Sequence, residues 1–224
     1  MKTSKSQSPI KVAVGRVAPQ IDATLQPLPS SPDIFNDPEV VIRDCTIENL
    51  ILDGLPPKSV LFENCILKRM SFARTRFVGL RLKDVRLLEC DFANAEAARL
   101  IATRVEFVNC RLTGLRAIEC QCQHLLISEG DAGFCQFRQG TFKTTEFSSC
   151  NFGEADFQDA DLRGAILKGC DFRNAEMNGA KLEGADFRGS RVEGMLANAA
   201  DLRGAIVDPA QAMVFAALFG LIIR

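Results

Sequence analysis

Residues Cys170 to Gly189 read CDFRN-AEMNG-AKLEG-ADFRG, four units of five residues. A large apolar residue stands at the centre of each unit: Phe172, Met177, Leu182 and Phe187. Two places before it stands a small one: Cys170, Ala175, Ala180 or Ala185. Polar residues flank the centres, as Asp171 and Arg173 or Lys181 and Glu183 do, and the units end in Asn174, Gly179, Gly184 and Gly189. A helix repeats its faces every ~3.6 residues and a strand every ~2, so a period of five belongs to neither. An inward residue at every fifth position requires a chain that turns a corner every five residues. Four corners make a square coil, and stacked coils pair their backbones at the ~4.8 Å spacing of neighbouring strands. The centre and the small residue then point into a tube and the flanking residues point out. The last residue takes the positive φ that a type II turn needs, which Gly and Asn tolerate.

The phase extends far beyond this stretch. Eight of the nine cysteines lie at multiples of five: Cys45, Cys65, Cys90, Cys110, Cys120, Cys135, Cys150 and Cys170. Of thirteen phenylalanines between residues 40 and 209, twelve occupy the centre place and only Phe134 is out of phase. The register holds from Val40 to Pro209, through 34 units, which identifies a solenoid. Residues twenty apart stack, so Cys90, Cys110, Cys150 and Cys170 share a column with Gly130 between them. The centres Ala97, Ala102, Ala117, Cys122 and Ala132 are weak. The register is unbroken, so an inserted loop would need a length that is a multiple of five, and the stretches Ala95–Arg104 and Leu115–Phe134 are the only places for one; whether they bulge stays open at this point.

Three parts follow. Residues 1–39 form a Pro/Ser-rich extension with six prolines, expected to be partly disordered, with mobility at 1–9 and 26–33. Ile10, Val12 and Val14 alternate, which allows a short strand over the first coil. Residues 40–207 are the repeat. In residues 208–224, Asp208 suits the N-cap of a helix, Pro209 its first position and Gly220 its stop. The helix is apolar on most sides. One side can cap the tube and cover its strand edge. The other requires a partner, which a symmetric dimer supplies through Met213, Val214, Phe215, Leu218, Phe219, Leu221 and Ile222. A cap alone is the alternative. At seventeen residues the segment is short for a membrane span.

Composition excludes several function classes. The formal net charge is −1, so no strong attraction to nucleic acid or anionic membrane follows. There is no Trp and no Tyr, as suits a narrow tube filled by one side chain per face. The cysteines occupy the small inward slot and read as buried free thiols, which fits a reducing, cytoplasmic compartment. Zinc held by Cys120, Cys122 and His124 is the alternative, weakened because the other cysteines lie on the core lattice. No carboxylate pair, phosphate-cradling loop or nucleophile–base pair stands out, so the expectation is no enzyme, no cofactor and no metal. The outward slot before the centre carries Glu146, Asp156, Asp161, Asp171, Glu176, Asp186 and Asp201. Stacked at strand spacing, these acids are expected to form negative columns for a partner. Basic residues after the centre, Arg163, Lys168, Arg173, Arg188 and Arg203, blunt that field.

Ala155-Asp156-Phe157, Ala160-Asp161-Leu162, Ala185-Asp186-Phe187 and Ala200-Asp201-Leu202 resemble the A-(D/N)-(L/F)-x-x signature of the pentapeptide-repeat family. The resemblance implies a right-handed quadrilateral β-helix. The tail from Asp208 to Ile223 is similar to that of the topoisomerase-protecting members, the Qnr-type quinolone-resistance proteins and their mycobacterial relative. In those members the tail is a helix plus a short strand that builds a two-fold dimer. The resemblance implies DNA mimicry, with binding to gyrase or topoisomerase IV and protection from quinolones. A scaffold that binds another protein through a flat face is the competing reading, since the repeat alone specifies only a fold.

Overall fold

A computed structural model describes residues 15–22, 24–28 and 31–223. The suggested strand over Ile10, Val12 and Val14 and the mobile tail at 1–9 lie outside the described residues. The chain is a parallel β-solenoid with one short C-terminal helix. Its strands are β1 (Gln26–Pro27), β2 (Glu39–Glu48), β3 (Lys58–Lys68), β4 (Phe77–Leu88) and β5 (Ile101–Val108). They continue with β6 (Gln121–Ser128), β7 (Thr141–Lys143), β8 (Glu146–Ser148) and β9 (Ile166–Lys168), followed by helix α1 (Pro209–Leu218). Pairing is parallel throughout, and partners such as Val85 and Val105 or Phe107 and Ile127 stand twenty residues apart. The remaining faces pair through single bridges with the same offset, as between Asn151 and Asp171.

Turn chemistry explains the corners. Among the described residues, every positive φ except that of Gly220 falls on the last place of a unit, from Asp44 at 54° to Gly204 at 79°. Asn and Gly meet this demand cheaply; Arg, Glu and Phe134 meet it at the cost of αL backbone strain.

Both inward slots are buried. The rings of Phe152 and Phe172 stack with centroids 5.3 Å apart, and those of Phe72 and Phe92 with centroids 4.9 Å apart. The weak units do not bulge. Ala97, Ala102, Ala117, Cys122 and Ala132 are buried centres in an unbroken register. Beside four of these centres an adjacent small slot is enlarged, since Leu100, Val105, Leu115 and Leu125 are also buried, whereas Ala132 lies between Gly130 and Cys135. At those four units the two inward slots exchange volume, which keeps the tube filled.

The slot can also be too narrow for any side chain. A Cβ built on Gly140 would sit 2.8 Å from both Cys120 Sγ and Phe142 Cε2 and 2.9 Å from the Phe137 carbonyl. Gly140→Ala is therefore expected to lower the unfolding free energy by about 1–3 kcal/mol through overpacking, read in a denaturant titration.

Irregularities occur at the ends. The register shifts between Lys58 and Ser59, where Pro57 occupies a centre place and is exposed. Proline offers no N–H to the ladder. Lys58 turns inward instead, and its ammonium donates to the Phe35 carbonyl. The second break lies at 198–204, where Ala200 is exposed and Gly184 N–H reaches Gly204 O rather than the expected Arg203.

The stretch 26–33, expected to be mobile, is folded in its described part. Gln26 and Pro27 pair with Cys45 and Thr46, and Ser31 caps a short 3-10 helix over Pro32–Phe35. Phe35 is buried against Phe62 and Phe72 and closes the first coil.

Candidate interaction surfaces

The seven outward acids are distributed over all four faces. Asp156 and Glu176 are direct neighbours in one column. Glu146 stands between Leu126 and Ile166, and Asp186 between Ile166 and Ile206. Asp161 lies between Thr141 and Lys181, and Asp171 between Asn151 and Arg191. Asp201 has left the lattice: it sits in the irregular last coil, where its carboxylate accepts from the backbone N–H groups of Gly179 and Asn198. Continuous acidic columns therefore do not form. An offset of five moves a residue to the next face, and only an offset of twenty returns it to the same one.

Most of these acids serve their own turns. Asp156, Asp161, Asp171 and Asp186 each accept from the backbone N–H two residues on, an Asx-turn bond that braces the corner. Arginines then close on them. Arg163 meets Asp161 at 2.5 Å, Arg173 meets Asp171 at 2.6 Å, and Arg188 meets Asp186 at 2.8 Å. Arg138 pairs with Asp156. The Arg188 hydrogen bond holds the Asp186 carboxyl down at about 2, and the arginines paired with Asp161 and Asp171 lower theirs in the same way. A carboxyl depressed by folding stabilises the fold above its ordinary value near 3.8 and loses that contribution as pH falls toward about 2. The melting temperature should thus drop through this acid window, and Asp186→Asn should shrink the drop; an identical acid profile for the variant would contradict the pairing.

The tail divides into a cap and an exposed patch. Asp208 caps α1, and its carboxylate accepts from Gln211 N–H in a reciprocal capping box. The Gln211 side chain donates to the carbonyls of Phe187 and Ser190, at 2.6 and 2.7 Å, on the last regular coil. Phe215, expected at a dimer interface, is buried in its own chain, because it is the side chain that plugs the tube. Val214 is half-buried beside it. Met213, Leu218, Phe219, Leu221 and Ile222 remain exposed, Ile222 at 84%. Gly220 ends the helix at φ 80°, with Gly220 and Leu221 N–H bonded to the carbonyls of Ala217 and Ala216. Residues 221–223 carry no strand in the single chain.

One further set of exposed apolar residues was not anticipated. Near the other end, Val41, Ile51 and Val78 are exposed where polar residues are the rule. Apolar residues in outward slots were the available signal. His124 does not join Cys120 and Cys122, which are buried inside the tube; its Nδ1 accepts from Val17 N–H on the outside. Among the described residues no group of three or more His, Cys, Asp or Glu side chains is placed to hold a metal. No described helix is long and apolar enough to cross a membrane.

Residues 155–194 match the family described as Pentapeptide repeats, in eight copies. A search of the curated proteins returns no match. Among solved structures, the chain is similar to HetL, a pentapeptide repeat protein involved in heterocyst differentiation regulation from the cyanobacterium Nostoc sp. strain PCC 7120. That match has 16% identity, covers 75% of this chain and 90% of that one, and has a TM-score of 0.43. A trypsin-treated form of QnrB1, a plasmid-mediated fluoroquinolone resistance protein, matches at 20% identity over 84% and 94% of the two chains, with a TM-score of 0.37. Rfr23 from the cyanobacterium Cyanothece 51142 matches at 14% identity over 78% and 95%, with a TM-score of 0.28.

Proposed function

We propose that this chain, a pentapeptide-repeat solenoid, is a non-enzymatic protein-interaction module that works as a homodimer joined through its C-terminal segment. The exposed apolar patch of Met213, Leu218, Phe219, Leu221 and Ile222 carries this reading. Large contiguous apolar patches on otherwise polar proteins mark association surfaces. The filled tube supports the non-enzymatic part, because ligand sites are concave and the interior is closed by side chains such as Phe157 and Phe172.

For the partner, the charge pattern favours a scaffold that holds another protein on a flat face. Acids spread over four faces and paired with arginines present a patchwork rather than one negative surface. The second reading is binding to gyrase or topoisomerase IV, favoured by the tail from Asp208 to Ile223 and its exposed apolar side. Supercoiling by matched gyrase, in the presence of a quinolone and with or without the dimer at micromolar concentration, separates the two. Rescue or inhibition supports topoisomerase binding. An unaltered enzyme removes it and leaves the scaffold. A chain that stays monomeric at all concentrations would refute the dimer in either case.

A further inference from the structure

Residues 16–22 leave the coil lattice and run along the rod axis over one outer corner. Val17 N–H donates to His124 Nδ1 at 3.3 Å, Gln20 N–H to Asp84 Oδ1 at 2.9 Å, and Asp22 N–H to Asn64 Oδ1 at 3.0 Å. Asn64, Asp84 and His124 occupy the same corner of different coils, all at positive φ, which aims their side chains out of the turn. From Asn64 to His124 is three coils, or ~14 Å at the strand spacing, crossed by five residues at ~3 Å each, the rise of an extended chain. The segment runs against the direction in which the coils advance, and it then enters β1 beside Cys45.

Backbone N–H groups make these contacts, so the corner reads an extended main chain rather than a particular sequence. Two side chains add selectivity. Arg16 donates to Glu106 at 2.9 Å, and Glu106 is itself buried and braced by Arg86 at 2.8 Å. Asn64 donates to Asp22 at 3.1 Å. The hold is polar and sparse, and Val17, Ala18, Gln20 and Asp22 remain exposed. One Arg16 guanidinium nitrogen is buried without a hydrogen-bond partner among the described residues, so the corner does not satisfy every donor of the resident segment.

We propose that the corner of Asn64, Asp84, Glu106 and His124 is a binding groove for an extended peptide of a partner protein carrying an arginine for Glu106. Residues 16–22 are its occupant in cis and mask it until a competing peptide displaces them. This surface is independent of the C-terminal dimer and of any topoisomerase.

The test uses the full chain and a fluorescent peptide of residues 15–28. A strap variant, Arg16→Glu with Val17→Pro and Gln20→Pro, removes the ion pair and two N–H donors without touching the solenoid. Wild type should show slow amide exchange at Val17, Gln20 and Asp22 and bind the peptide poorly. The variant should exchange fast there and bind the peptide at least tenfold more tightly, and a peptide carrying Arg16→Glu should lose that gain. Fast exchange in wild type overturns the strap. A released strap without peptide binding, or binding indifferent to Arg16, overturns the groove. If the triple variant does not fold, Gln20→Pro alone is read by the same two measurements.

Discussion

Phe172→Ala is expected to lower the unfolding free energy by about 3–5 kcal/mol, as does Phe157→Ala, the range for truncating a buried phenylalanine. Both rings are completely buried and touch several others. Phe172 stacks on Phe152 at 5.3 Å and meets Phe187 edge-on at 5.5 Å, while Phe157 contacts Phe137 at 5.4 Å. A solenoid has little freedom to collapse around the resulting void. Each coil is pinned to its neighbours by parallel pairing, so the walls cannot close without breaking ladder bonds. The loss should appear in a denaturant midpoint with an unchanged slope. Little or no loss would mean that these centres do not carry the core.

Removal of residues 209–224 is expected to abolish the proposed dimer and to open the last coil. The two effects have different residues behind them. Gln211 and Phe215 serve the cap, since one satisfies the carbonyls of Phe187 and Ser190 and the other fills the end of the tube. Leu221 and Ile222, 63% and 84% exposed, are the residues proposed for association. Ile222→Asp should therefore weaken dimerisation by about 3 kcal/mol, roughly 100-fold, and leave the melting temperature of the monomer unchanged. Phe215→Ala should do the reverse and destabilise each chain. Sedimentation velocity over a concentration series reads the first effect. A truncated chain that still sediments as a soluble dimer would refute the assignment.

The fold was legible because its period is written on every unit. Phe at the centre, Cys or Ala two places earlier and Asn or Gly at the corner each report the same coil. The strongest units, such as Ala185-Asp186-Phe187, therefore locate the weaker ones by phase alone. The Asp208, Pro209 and Gly220 signals placed α1 for the same reason: capping is local chemistry.

What the sequence determined by itself was thus everything set by a residue and its near neighbours: the coil, the inward and outward slots, the positive-φ corners and the limits of the helix. Tertiary structure decided how those local units meet in space. It placed the outward acids on separate faces and bound them to arginines, where a linear reading had stacked them. It turned Phe215 inward and left Ile222 outside, a division that a helix apolar on most sides does not encode. It kept the alanine-centred units regular, with Leu100 and Leu115 buried in the small slots beside Ala97 and Ala117. It also laid residues 16–22 across several coils, through contacts separated by 42 to 107 residues, which no local pattern records. The physical reason is common to all four: packing and charge pairing act through space, and the coil brings together side chains whose meeting no single unit specifies.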